Sequence, residues 1–373
     1  MSGDWQRTFV STSSPTSVRN GVGFKPCQGL YYEPTGKKAR TALIATHYNV
    51  DFSEHYMGPY LAARGYGFLG WNTRFRGNEA FFLLEHALVD IGEGVRWLTE
   101  EGVEQIVILG NSGGGSLMGA YQSQAKGITI SATPRMKLPP ALTDLQPADL
   151  YISLCAHLGR PEVLTAWFDP SVTDETDPTS IDPELNMYDA AIGLPYSEEF
   201  ITRYRGAQKL RNNRITDWCH TELTRLETLD MFDRAFNVYR SWADLRMMDA
   251  SIDPSDRREK WCYAGDPKRA NFGPRGIGLT NSLRTWLSMW SLTDSHCSGA
   301  PHLNRIDVPA LIVQSTSDSG VFPSDAKTIY EALASPDKTL EMVTGDHYLE
   351  TPDTARDDVA DLIVGWLQDH DTI

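Results

Sequence analysis

The sequence predicts an α/β protein, a mostly parallel sheet with helices on both faces, interrupted once by a large and mainly helical insertion. Three observations carry this reading. Short apolar runs alternate with amphipathic stretches up to about residue 155 and again over 310–370. The alternation stops between 158 and 304, where Trp, Asp, Arg and Met are abundant. The apolar run from Ile106 to Leu109 feeds directly into Gly110-Asn111-Ser112-Gly113-Gly114, a strand followed by a tight glycine-rich turn and a helix-compatible segment.

In chain order, residues 21–35 read as short strands with turns at Gly29 and at Pro34-Thr35-Gly36. Thr41–Thr46 is an apolar strand, Phe52–Arg64 a helix and Tyr66–Trp71 another strand. Ala87–Glu100 carries Leu88, Ile91, Val95 and Leu98 at helical spacing. Glu104–Leu109 is the strand before the glycine turn, Gly114–Ala125 the helix after it, and Leu150–Cys155 a further strand. Within 158–304, the stretches 197–228 and 231–249 suit long helices, and six of the ten tryptophans lie there (Trp167, Trp218, Trp242, Trp261, Trp286, Trp290). Their first reading is core of that insertion. The basic cluster Arg203, Arg205, Lys209, Arg211 and Arg214 reads as a solvated helix face, with recognition of an acidic group as the alternative. After the insertion come a strand at Ala310–Gln314, a helix at Pro323–Leu333 and a strand at Leu340–Thr344. A last helix follows from Pro352, with Thr351 as its N-cap and Val359, Leu362, Ile363, Trp366 and Leu367 on one face.

Composition bounds the function. The chain has 373 residues, 41% of them hydrophobic and 22% charged, enough for a substantial core. A net charge of −15 disfavours nucleic acid and anionic membranes as partners. No apolar run is long enough to span a bilayer. The segment 1–20 is polar, rich in Ser and Thr, and lacks the apolar core of a signal peptide. The five scattered cysteines have no C-x-x-C spacing and read as free thiols. A cytoplasmic location is therefore expected. Assembly into a homo-oligomer is left open.

Gly110-Asn111-Ser112-Gly113-Gly114 is a G-x-S-x-G pattern in the context a nucleophilic serine needs, with the hydroxyl of Ser112 held at the tip of a sharp turn. Glycines at 110 and 114 let strand and helix come close. The Gly113 N–H, at a helix N-terminus, can face a developing oxyanion. A serine hydroxyl needs a base, and the base an orienting acid. Asp318 lies just past the strand at 310–314, and His347, in Gly345-Asp346-His347-Tyr348, just past the strand at 340–344. Asp325 and Asp346 are rival acids, but the first sits in the first turn of a helix and the second adjoins the histidine. His157 follows the strand ending at Cys155 and is a candidate substrate-binding residue, with a structural role as the alternative. His296 and His302 have no third ligand nearby, so no metal is expected.

With these residues in this order, the chain resembles the α/β-hydrolase superfamily over about 40–157 and 305–370. The resemblance implies an α/β-hydrolase fold with an eight-stranded, mostly parallel sheet. It also implies a core of 21–157 and 305–373 and a helical cap at 158–304. It makes Ser112 the nucleophile, Asp318 the acid after the seventh strand and His347 the base after the eighth. Many members carry His-Gly-x after an early strand, with the third residue donating to the oxyanion. Here Ala45-Thr46-His47-Tyr48-Asn49 has tyrosine in place of that glycine. By position Asn49 is the donor, and Tyr48 is a second candidate through its N–H or its hydroxyl. His47 reads as a brace for the loop.

The implied activity is serine hydrolysis of a small-molecule acyl substrate, with a carboxylic ester as the commonest bond for such a triad and no cofactor required. The large aromatic cap suits a bulky, partly apolar substrate. A C–C hydrolase, a thioesterase or an acyltransferase uses the same triad. Outside enzymes, a ligand-binding protein of the same fold is a further alternative. Dehalogenases and epoxide hydrolases carry aspartate at the elbow and are disfavoured.

Overall fold

The computed structural model describes residues 5–17 and 26–371. One sheet contains eight strands: β1 (Trp5–Thr12), β2 (Cys27–Pro34), β3 (Thr41–Ala45), β4 (Gly67–Asn72), β5 (Gln105–Ser112), β6 (Leu150–Ala156), β7 (Ala310–Ser315) and β8 (Lys338–Val343). Their spatial order is β1-β2-β4-β3-β5-β6-β7-β8. The β1–β2 and β2–β4 pairs are antiparallel and all the others parallel.

The central strands β3 to β7 are buried nearly throughout. Continuous apolar runs are what a parallel sheet covered on both faces requires. Helices α2 (Leu84–Glu100) and α3 (Gly114–Ala125) cover one face. On the other face lie α1 (Met57–Ala62) and the last helix, which packs Val359, Ile363 and Leu367 against Met57 and Leu61. Leu88, Ile91, Val95 and Leu98 of α2 all point into the core.

Several boundaries differ from the sequence reading. Part of the segment 1–20, set apart as polar, is β1. It is a mostly exposed edge strand, so it needs no apolar alternation. Residues 1–4 and 18–20 of that segment, and 21–25 of the expected short strands, lie outside the described residues. Gly29 is not a turn but the third residue of β2. A Cβ there would overlap the Gly70 carbonyl of β4. The helix expected over 52–64 is confined to α1. Asp51 accepts from the Ser53 N–H at 2.8 Å and Asn72 from the Phe52 N–H at 2.8 Å, which holds the preceding residues in a turn.

Between β6 and β7 the chain forms α4 (Arg160–Trp167) and the 30-residue α5 (Glu198–Glu227), joined by long irregular stretches and a few short helical turns. The helix expected at 231–249 is absent. Ala235–Asn237 pairs with Thr280–Ser282 as a two-stranded ribbon, and only Leu245–Met248 is helical. A long-range pairing has overridden local preference. The basic face of α5 is not simply solvated. Arg211, 1% exposed, donates to Glu175 at 2.9 and 2.7 Å, and Arg205 to Asp244 at 2.7 Å. These side chains pin the irregular stretches to α5. Trp167, Trp286 and Trp290 are buried in this layer.

After β7 and β8 come α6 (Pro323–Ala332) and α7 (Ala355–Asp369). Helix α7 starts three residues later than expected, capped at Thr354 rather than Thr351. Asp346 accepts from the Tyr348 and Glu350 N–H groups and keeps the chain in a turn. Among the described residues no helix is long and apolar enough to cross a membrane.

Candidate active site

Strand β5 ends on Ser112, whose φ of +53° is left-handed, and α3 begins two residues later. A serine held there is strained by its surroundings. The register between β5 and β6 shifts at Asn111/Ser112, and the Ser112 carbonyl accepts from the His157 N–H at 3.0 Å. The glycines are required as expected. A Cβ on Gly110 would come within 2.9 Å of the Gly115 Cα, and one on Gly114 would overlap the Thr46 carbonyl oxygen. Asn111 is buried and tied down on three sides. It donates to the Leu154 carbonyl at 2.8 Å and the Tyr56 hydroxyl at 3.2 Å, and its Oδ1 accepts from His55 Nε2 at 3.1 Å.

Two further loops meet the serine. His347 Nε2 lies 3.0 Å from Ser112 Oγ, and His347 Nδ1 lies 2.6 Å from Asp318 Oδ2. An ionised carboxylate only accepts, so Nδ1 carries the proton and Nε2 is left to accept from the serine hydroxyl. Asp318 is 1% exposed, and its other oxygen accepts from the Gly320 and Val321 N–H groups at 2.9 Å each. The rivals are engaged elsewhere. Asp325 caps its own helix through the Phe322 N–H and pairs with Arg246 at 3.2 Å.

A residue missed in the sequence joins this group. The Tyr263 hydroxyl donates to Asp318 Oδ1 at 2.9 Å and lies 3.0 Å from His347 Nδ1, and its ring packs on the imidazole at 4.3 Å between centroids. Burial, then the charge of Asp318, pushes its phenol well above the ordinary range, so it stays a donor. Tyr263 comes from the segment between β6 and β7, far from Asp318 and His347 in sequence, and no local pattern marks it. Tyr263 also lines an open cleft of about 680 Å³ with Trp242 and Trp261.

The oxyanion side departs from expectation. The Asn49 N–H, the expected donor, is turned onto His47 Nδ1 at 3.3 Å, and the Val50 N–H meets the same atom at 3.2 Å. With tyrosine instead of glycine at 48, the loop folds back over the His47 ring. The Tyr48 hydroxyl does not face Ser112 either. It shares a hydrogen bond with Ser116 Oγ at 3.0 Å on α3, and its ring is fully buried.

His47 Nδ1 accepts two N–H groups, so the proton of the neutral ring sits on Nε2. That atom lies 2.5 Å from where a Cβ on Gly113 would be. Burial, and next the charge of Arg160, holds His47 well below the usual histidine range and therefore neutral. His157 is buried beside the site, with its ring edge-on to Trp167 at 5.7 Å. Burial, above all, keeps it neutral as well. His302 lies away from this site, in a structural contact with the His296 carbonyl at 2.8 Å.

No protein-family model and no curated protein matches the sequence. Solved structures do match in fold. The α/β hydrolase GrgF from Penicillium sp. sh18 aligns with a TM-score of 0.51 at 12% identity, covering 97% of each chain. DcsB, solved in complex with its substrate analogue, aligns with a TM-score of 0.52 at 12% identity, covering 98% of this chain and 99% of that one. Identity this low speaks for fold alone. The eight-stranded sheet, its strand order and these alignments together establish that the chain has the α/β-hydrolase fold.

Proposed function

We propose that the protein is a serine hydrolase that cleaves a carboxylic ester of a small-molecule acyl substrate. The observation that carries this reading is the unbroken hydrogen-bond chain from Asp318 through His347 to Ser112, with the serine at a left-handed turn. In this reading Ser112 Oγ attacks the acyl carbonyl while its proton passes to His347 Nε2. Asp318 holds the imidazole tautomer and stabilises the imidazolium. The tetrahedral oxyanion meets the Gly113 N–H and, in place of a second backbone donor, the Nε2–H of His47. The intermediate collapses as His347 returns the proton to the departing alkoxide. Water then adds to the acyl-enzyme, giving its proton to His347, and Ser112 leaves with that proton restored. Apart from the substrate and water, each step uses only groups of the chain.

Intact mass after treatment with a fluorophosphonate tests the reading. The wild type should gain a single adduct and Ser112→Ala none, and only the wild type should release 4-nitrophenol from short-chain 4-nitrophenyl esters. Equal labelling of both proteins, or an unlabelled and inactive wild type that is folded, would refute it.

A further inference from the structure

Arg160 is the most anomalous side chain near Ser112. It opens α4, directly after β6, and is 4% exposed. Among the described residues its guanidinium donates to no acceptor and forms no salt bridge, and its Nε is buried without a partner. It lies over the Tyr48 ring at 4.4 Å and the Trp290 ring at 5.3 Å. Burying an unpaired cation is costly, and a cation at a helix N-terminus also opposes the helix dipole. The two rings offset part of this cost, but neither supplies the fork with a hydrogen-bond acceptor in its plane. Burial pulls the guanidinium below its ordinary range, and Glu79, the carboxylate that acts on it most, offsets this without pairing.

The position of this cation is what gives it meaning. Arg160 Nη1 lies 2.7 Å, and its central carbon 2.9 Å, from where a Cβ on Gly113 would be. The guanidinium therefore packs against the residue that follows the nucleophile, in space that only a glycine leaves open. It also acts electrostatically on His47 and His157, which flank Ser112. Both are neutral, so no other cation competes there. An arginine fork with free donors matches a carboxylate. Its closeness to Gly113 sets that carboxylate a few bonds from the reacting carbonyl.

We propose that Arg160 is a substrate-binding residue that pairs with a carboxylate on the acyl part of the substrate, so that the preferred esters are hemiesters of short dicarboxylic acids. This rests on the ester-hydrolase reading above for its turnover, but not for its binding.

Two measurements separate the two. The first compares mono-4-nitrophenyl glutarate with 4-nitrophenyl pentanoate, which share a leaving group and acyl length and differ in the terminal carboxylate. The wild type should favour the glutarate by at least about tenfold in kcat/KM, Arg160→Gln should lose that preference, and Arg160→Lys should keep part of it. Equal rates in the wild type, or an unchanged preference in Arg160→Gln, would overturn the proposal.

The second measurement reads binding without turnover, by calorimetry on Ser112→Ala. Free glutarate should bind at least tenfold more tightly than glutaramide, its neutral analogue. Equal binding would overturn the proposal even if Arg160→Gln fails to fold. Glutarate binding in a protein that hydrolyses neither ester would sustain the Arg160 site and refute the ester reading. Hydrolysis of both esters without that discrimination would do the reverse.

Discussion

At the scale of single residues, the site combines groups that the chain order announces with groups that it hides. Ser112, Asp318 and His347 each follow an apolar run: Ser112 ends β5, and Asp318 and His347 lie in the loops just past the ends of β7 and β8. Their meeting follows from parallel strands, because the loops after such strands all emerge on one side. Tyr263 carries no such mark. Its hydroxyl holds one oxygen of Asp318, which under the proposed function makes it a positioning residue. Tyr263→Phe removes one charge-assisted hydrogen bond and leaves the two backbone donors to Asp318 in place. It should lower kcat about tenfold with KM changed less than about twofold, as steady-state kinetics on a short-chain ester will show. Asn49 was the natural donor by position, yet its N–H is spent on His47, a choice made by the fold of the Tyr48 loop. Arg160 left no signal in the sequence, because its place in the first turn of a helix is known only from the fold.

At the scale of elements, the turn from β5 into α3 is tightly constrained. Strand β3, strand β5 and helix α3 converge there, with no room for a side chain at Gly114. Gly114→Ala must push the helix start away from Thr46 and with it the N–H of Gly113. It should destabilise the fold by about 1–3 kcal/mol, read from the midpoint of chemical denaturation, and lower activity in the fraction that remains folded. The glycine spacing in the sequence anticipated this crowding, whereas the equally crowded Gly29 was read as a turn, because a glycine inside a strand looks the same as one between strands. The ribbon of Ala235–Asn237 with Thr280–Ser282 shows the same difficulty. Each half is too short to announce itself, and only the pairing makes it a strand.

At the scale of the whole molecule, the segment between β6 and β7 is fastened to the sheet around the loop that carries Asp318. The Asp256 N–H donates to the Thr316 carbonyl at 2.9 Å, the Ser324 hydroxyl to Asp253 at 2.6 Å and Arg246 to Asp325 at 3.2 Å, around the contact of Tyr263 with Asp318. Acid should loosen the molecule elsewhere. Burial holds His55 and His302 at about 4, below the ordinary histidine value, despite hydrogen bonds to Asn111 and the His296 carbonyl that favour their charged forms. Between about 6.5 and 4 the unfolded chain takes up protons that the folded chain refuses. Their contribution is therefore full above pH 6.5 and is lost as the pH falls towards 4. Denaturant titrations should show about 2 kcal/mol less stability per histidine at pH 5 than at pH 7, and His302→Gln should flatten the decline. Stability constant over this range would refute the assignment.

The sequence by itself determined the alternation of strand and helix, the glycine turn at Ser112 and the chain order of serine, aspartate and histidine. These are local patterns, set by hydrophobic period, backbone freedom and strand ends, and they survive without knowledge of distant contacts. Only the tertiary structure decided which groups surround the serine from elsewhere. Tyr263 reaches Asp318 across 55 residues and His347 across 84, and Arg160 and His47 meet beside Gly113. Such encounters depend on how long irregular stretches pack, on buried pairs such as Arg211 with Glu175, and on which carbonyl or ring an N–H happens to face. A single sequence carries no periodic signal for any of these. The physical reason is that a hydrogen bond between distant segments is fixed by the packing of everything between them, and not by either partner alone.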